Sequence, residues 1–127
     1  MPSEISAVFE IKGWDEQPFD EAVGVAKLTK ATVAKEYTGD VEGTSATEWL
    51  MAYHPDKSAE FVGLERIKGT IDGRRGSLVL QHVGTFEDGA AKATLTVISG
   101  TDELKGVTGT GEFVADPAGR ITLTIEV

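Results

Sequence analysis

The sequence predicts an all-β domain, a closed antiparallel barrel of about eight strands with little or no helix. Three observations carry that expectation. Gly occurs 15 times in 127 residues at short intervals, and between the glycines lie alternating runs rich in Val, Ile, Thr and aromatic residues, the pattern of half-buried strands. Asp72-Gly73 and Asp88-Gly89 are each flanked by such runs, which signals type I′ hairpins, because both central residues of that turn need positive φ. Finally, the strands are apolar on one face only and almost no helix is available to cover that face, so the sheet must curl shut or stack on a second sheet. A two-sheet sandwich is the alternative; inward glycines at bends favour the barrel.

In order, the strands are expected over Ile5 to Lys12, Leu28 to Tyr37, Val41 to Tyr53, Glu60 to Ile71, Arg75 to Phe86, Ala90 to Ile98, Val107 to Ala115 and Ile121 to Val127. No repeat, low-complexity block or linker interrupts them, so residues 1–127 read as one domain. Between Pro18 and Lys27, the residues Phe19, Ala22, Val23 and Ala26 approach helical spacing, but Gly24 breaks it. That segment reads as a loop with one turn at most.

Each tight turn fixes a register. A two-residue loop at Asp72-Gly73 pairs Ile71 with Arg74 and puts Ile67 opposite Leu78, Glu65 opposite Leu80, Gly63 opposite His82 and Phe61 opposite Gly84. The Asp88-Gly89 turn pairs Glu87 with Ala90 and sets Phe86 opposite Ala91, His82 opposite Leu95 and Leu80 opposite Val97. The two turns agree on which face is apolar. The looser turn at His54 to Ala59 is expected to place Tyr53 opposite Phe61, Met51 opposite Gly63 and Trp49 opposite Glu65. The turn around Asp116-Pro117-Ala118-Gly119 is expected to set Phe113 opposite Leu123.

The inward set is then Phe9, Ile11, Trp49, Met51, Tyr53, Phe61, Ile67, Leu78, Leu80, Phe86, Leu95, Val97, Phe113, Leu123 and Ile125. The small inward residues Gly63, Gly84, Ala91, Ala93, Gly109 and Gly111 are expected to leave room in the lumen. Charged and Thr residues take the other parity, with Glu48 expected across from Arg66. Leu50, Val62, Leu64, Val79, Val83 and Ile98 form an apolar strip on that outer wall, which suggests a homo-oligomer.

Composition narrows the partners. With 12 basic and 21 acidic residues the formal net charge is -9, which repels phosphate backbones and anionic headgroups, so nucleic acid and membrane surfaces are not expected partners. There is no Cys, which removes disulfides, thiolate metal sites and a Cys nucleophile. The first residues carry acids and no long apolar run, so neither a signal peptide nor a membrane span is read there, and the expected location is cytoplasmic.

Two inward residues are out of place in an ordinary core, Glu65 and His82. They sit diagonally on neighbouring strands, ~7 Å apart at Cβ, close enough to meet. A carboxyl group in such surroundings is raised by desolvation and lowered by a neighbouring cation, so the pair is a candidate catalytic acid and base. The alternative is a satisfied structural pair. Trp49, Met51, Tyr53 and Phe61 are expected around them as ligand-binding walls, and Trp14 is placed to cap one mouth. No metal site is expected: His54 falls on the outward parity, and one His with one Glu is too few ligands for zinc. No cofactor is expected either. Gly109-Thr110-Gly111 has no helix after it to hold a phosphate and reads as a close-packed strand.

The strings Trp14-Asp15-Glu16 with Pro18-Phe19, Lys27-Leu28-Thr29, Tyr37-Thr38-Gly39-Asp40, Leu50-Met51-Ala52-Tyr53, Phe61-Val62-Gly63-Leu64-Glu65-Arg66 and Gln81-His82-Val83-Gly84-Thr85-Phe86 resemble a bacterial domain family of unknown function with an allene oxide cyclase-like β-barrel. The resemblance covers essentially the whole chain and implies an eight-stranded antiparallel barrel. Barrels of that superfamily include plant allene oxide cyclases, dirigent proteins and bacterial cyclases of natural-product assembly. The family shares Glu65, His82, Trp14 and Tyr53 without assigned roles. The functional expectation is therefore a small-molecule-binding barrel, with cyclase or isomerase action on a mostly apolar substrate if Glu65 and His82 move a proton. A non-catalytic barrel for a hydrophobic ligand and a structural barrel with a filled core stand beside it.

Overall fold

The computed structural model describes residues 2–116 and 118–127. Eight antiparallel strands pair in chain order to form a ring: β1 (Ser3–Asp20), β2 (Lys27–Gly39), β3 (Val41–Tyr53), β4 (Ala59–Ile71), β5 (Arg74–Glu87), β6 (Ala90–Gly100), β7 (Thr108–Ala115) and β8 (Gly119–Glu126). The ring is joined where β1 pairs with β8, from Ser3 opposite Ile125 to Phe9 opposite Gly119. A 3-10 turn at Asp102–Leu104 is the only helix among the described residues. Among the described residues no helix is long and apolar enough to cross a membrane.

The two Asp-Gly turns have the backbone their residues predict, with φ of 52° and 76° at Asp72 and Gly73 and 54° and 77° at Asp88 and Gly89. Both registers derived from them are found pair for pair in β4–β5 and β5–β6. The looser turns differ. Tyr53 pairs with Ala59, Met51 with Phe61 and Trp49 with Gly63, two residues from the expected pairing. The reason is local: Lys57 enters the left-handed region at φ 73°, and His54 N–H donates to the Ser58 carbonyl at 2.8 Å, which closes the reversal earlier. Glu48 consequently faces Leu64, not Arg66, and bonds Thr32 and Lys30 of β2 instead. Phe113 pairs with Ile121 and Gly111 with Leu123, again two residues off; that turn runs through Pro117, which lies outside the described residues. A slip of two keeps every side chain on its face, so the inward residues of β3, β4, β7 and β8 keep their side.

β1 continues to Asp20 where the sequence suggested an end at Lys12 and a loop from Pro18. Two irregularities in its pairing with β2, between Ile11 and Gly13 and between Pro18 and Asp20, let it follow the bend. Pro18 is tolerated because β1 beyond Phe9 has a neighbour on one side only, so no second ladder requires its missing N–H. Beside the first bulge, Ile11 turns out to solvent at 45 % exposure, against the inward expectation. Phe86, next to the β5–β6 turn, is also partly open.

Inside lie Ile5, Phe9, Val33, Tyr37, Val41, Trp49, Phe61, Ile67, Ile71, Leu78, Leu80, Leu95, Phe113, Ile121, Leu123 and Ile125, all buried. The inward glycines do not leave the lumen empty. A Cβ on Gly63 would sit 2.7 Å from the Trp49 indole, and one on Gly84 would sit 2.7 Å from the Phe61 phenyl. Each absent side chain is the space into which a neighbouring strand's aromatic group fits.

Candidate functional site

Strand alternation places one buried polar cluster at the middle of the ring. On β2 the inward residues are Thr29, Ala31, Val33, Lys35 and Tyr37; on β3 they include Ser45, Thr47, Trp49 and Met51. β4 adds Glu65 and β5 adds His82, both fully enclosed. The Glu65 carboxylate accepts from Tyr37 OH and Ser45 Oγ, each at 2.6 Å on Oε2. Its Oε1 lies 2.9 Å from His82 Nε2 and 3.4 Å from Lys35 Nζ. A carboxylate offers about four acceptor positions, and all four are taken.

The tautomer of His82 follows from its other neighbour. Trp49 Nε1 lies 3.2 Å from His82 Nδ1, and an indole N–H only donates. Nδ1 is therefore the acceptor, and Nε2 carries the hydrogen that reaches Glu65. A second proton on Nδ1 would turn its N–H against that of Trp49. Burial lowers the His82 pKa, with Glu65 opposing and Lys35 adding to the fall. For Glu65, burial pushes upward, but the Lys35 ammonium and the bonds from His82 and Ser45 outweigh it and hold the group down to about 2. Lys35, lowered first by burial, is caged by aromatic faces: its Nζ lies 4.6, 5.0 and 5.1 Å from the centroids of Phe9, Trp49 and Phe113. Tyr37 is pushed well above its ordinary value by burial and then by the Glu65 charge.

A second polar group sits above this one, at the end of the ring where β1 rises past β8. Trp14, opposite Val33, and Glu16, opposite Ala31, follow the inward parity of β2. Glu16 Oε2 accepts from Thr29 Oγ1 and Tyr53 OH, both at 2.6 Å, while Oε1 accepts from Trp14 Nε1 at 3.2 Å. Partial burial raises the Glu16 pKa, but these three donors and the Lys27 charge leave it lowered. Tyr53 is pushed up to about 12 by burial and by Glu16. The Trp14 indole, 47 % exposed, leans on Trp49 at 5.7 Å between centroids, and Trp49 leans on Phe61 at 5.0 Å. Tyr53 OH also approaches Met51 Sδ at 3.8 Å.

Of the residues the sequence singled out, Glu65 and His82 meet directly, and Trp49 joins them. Trp14, Met51, Tyr53 and Phe61 gather at the mouth. Tyr53 does not surround Glu65 as expected: the earlier turn closure moves it up the wall to Glu16. Sequence reading missed Lys35, Tyr37, Ser45, Glu16 and Thr29. A signal for the first two was present, since Val33 and Tyr37 share a parity that forces Lys35 inward with them. Glu16 gave none, because the bulge at Lys12 resets the parity of β1 without a marker. His54 points outward to Glu60 at 2.8 Å. Among the described residues no cluster of three potential metal ligands occurs.

With this geometry in place, comparison with known proteins adds one decisive match: residues 5–127 fit the model of a family described as protein of unknown function, DUF3224. The chain belongs to that family. A crystal structure of a DUF3224 protein with unknown function from Shewanella oneidensis MR-1 is similar over 99 % of this chain and 98 % of that one, at 28 % identity and a TM-score of 0.81. The family likeness therefore spans the whole strand ring, mouth included. No curated protein matches the DUF3224 chain.

Proposed function

We propose that this DUF3224 protein is a small-molecule-binding barrel of the allene oxide cyclase-like type, a single domain that takes a mostly apolar ligand at its Trp14 end. The observation that carries the reading is the composition of that end: a half-exposed indole resting on a buried one, with Met51, Tyr53 and Phe61 beside them and a carboxylate among them. Apolar walls with a few convergent polar groups are what small-molecule sites are made of. Below the mouth the lumen is filled, so the ligand sits on Trp49 and does not pass it. In this reading Glu65 and His82 are positioning residues: through the Trp49 N–H they fix the floor on which the ligand lies.

Cyclase or isomerase action is the second reading. It is favoured by the direct Glu65 to His82 hydrogen bond one indole beneath the mouth, and it requires Trp49 to swing aside so that substrate reaches Nδ1. We extend the proposal to a homo-oligomer, supported by the outer strip in which Leu50, Val62, Leu64, Val83 and Ile98 are each half exposed.

Native mass spectrometry of the protein purified from its own host, followed by identification of any released molecule, tests the binding reading. A bound apolar metabolite lost in Trp14→Ala supports it. A metabolite retained at full occupancy in Trp14→Ala places the site elsewhere. Turnover of that metabolite by wild type, abolished in His82→Ala with the fold intact, would replace the binding reading with the catalytic one.

A further inference from the structure

The outer wall of the ring is uneven. On β7 and β8 it shows Thr110, Glu112, Thr122 and Thr124 to solvent. On β3, β4 and β5 it carries branched apolar side chains instead. Leu50 pairs with Val62 and Val62 with Val83, so the three stand in one row across the strands, and Leu64 follows on the same face of β4. All four are at least half exposed. Next to them Phe19, Leu50, Ala52, Glu60, Val62 and Gly84 line a hollow of about 400 Å3. Along β4 the outward residues run Glu60, Val62, Leu64 and Arg66: an acid, two apolar groups and a base. The two charges are ~20 Å apart on one strand, too far to meet within a chain. Among the described residues Arg66 has no acid within ion-pair distance; Glu48 on β3 is held toward β2 by Thr32 and Lys30.

The geometry points to a second copy of this chain as the occupant of that face, with β4 lying antiparallel over β4 about a two-fold axis that crosses the strands between Val62 and Leu64. The inference rests on the homo-oligomer reading above and names its interface. In a two-fold contact, residues equally far from the axis on either side meet. Val62 then packs on the second copy's Leu64, and Glu60 meets the second copy's Arg66, each contact being made twice. The Arg66 side chain enters the hollow on whose rim Glu60 stands. The charges choose this axis, because one running along β4 would set Glu60 on Glu60 and Arg66 on Arg66. Five strand spacings by six residues give ~500 Å2 in projection. The relief of the side chains raises that to about the 600 Å2 a side of the smaller specific interfaces. A reversible dimer is the expected product.

The test is sedimentation velocity of the full chain across the micromolar range, at ~0.15 M salt so that charges ~20 Å apart within one chain do not sense each other. Wild type is expected to pass from the mass of one chain to that of two. Leu64→Glu is expected to stay monomeric with wild-type circular dichroism, and Thr122→Glu, on the opposite wall, to dimerise like wild type. Arg66→Glu and Glu60→Arg are each expected to weaken the dimer at least ~tenfold, through two like-charge contacts. Mixing those two variants is expected to restore it, because both contacts of the mixed pair again join opposite signs. A defect confined to the folding of one chain is not repaired by mixing. A wild type that is monomeric throughout overturns both the inference and the homo-oligomer reading. An oligomer that survives Leu64→Glu or the two charge reversals, that is lost equally in Thr122→Glu, or that mixing fails to restore overturns the inference alone. So does a particle of three chains, since a two-fold face closes on two copies.

Discussion

Glu65→Gln removes one charge from a site that has no access to water. Lys35, with 1 % of its side chain exposed, would keep its ammonium among Phe9, Trp49 and Phe113 with no counter-charge. The substituted amide also has the wrong hydrogens. If its carbonyl stays with Tyr37 and Ser45, its NH2 meets the N–H of His82; if His82 changes tautomer to accept, it loses Trp49. Breaking a buried pair from one side costs ~3 to 5 kcal/mol. For 127 residues the unfolding entropy is about 0.27 kcal/mol per kelvin, so Tm is expected to fall by ~11 to 19 °C. Circular dichroism melts at pH 7 read this directly. Lys35→Met added to Glu65→Gln removes the orphaned cation, and the double variant is expected to regain at least ~2 kcal/mol of the loss. A single variant within ~1 kcal/mol of wild type, or a double variant no better than the single, refutes the claim that the charge pair and its tautomer form one unit.

The cluster also fixes a pH response. Folded pKa values below the unfolded ones mean the unfolded chain binds more protons, so stability rises with pH. The Glu65 share is complete above about 4.5 and lost as pH falls toward about 2, and the His82 share is lost as pH falls from 6.5; urea midpoints are expected to drop between pH 7 and pH 5 in wild type and to stay level there in His82→Gln. Thr47 Oγ1 is buried without a partner among the described residues, so Thr47→Val is expected to stabilise by ~1 kcal/mol, and a loss of that size would mean the hydroxyl is satisfied after all. Gly63→Ala drives a Cβ onto the Glu48 carbonyl oxygen and to 2.7 Å from Trp49; a loss of ~2 kcal/mol or more is expected, with shifted Trp emission, and an unchanged melt would show that the indole does not use that space. Trp14→Ala, at the half-open rim, is expected to lower stability by less than either core change while removing ligand binding.

The strands and their inner face were legible because Asp-Gly turns state their own register. His54 to Ala59 gave no such statement. The left-handed Lys57 that closes it is a residue type that normally avoids positive φ, and nothing in the local sequence announces it. The Glu65 and His82 contact was legible because both residues belong to the hairpin closed by Asp72-Gly73, one of the two unambiguous turns. Lys35 was hidden by charge itself: a lone Lys in an alternating run reads as solvated, and its burial depends on a carboxylate thirty positions later in the chain. Glu16 was hidden by the Lys12 bulge, a property of how β1 pairs and not of its composition.

The unequal pairing of β1 has a dynamic consequence. Ser3–Ser6 pairs with β8 and Ala7–Phe9 with strands on both sides, whereas Glu10–Asp20 leans on β2 alone. In amide hydrogen exchange Ala7–Phe9 should share the slow rates of the ring, and alternate amides of Glu10–Asp20, facing no strand, should exchange almost freely. Trp14 and Glu16 ride on that stretch. The segment that closes the mouth is thus joined to the rest by a single ladder and by the side-chain contacts of Trp14 and Glu16 with Trp49 and Tyr53, and peeling it back costs the opening of one hairpin edge and those contacts while the ladders of the other strands stay paired.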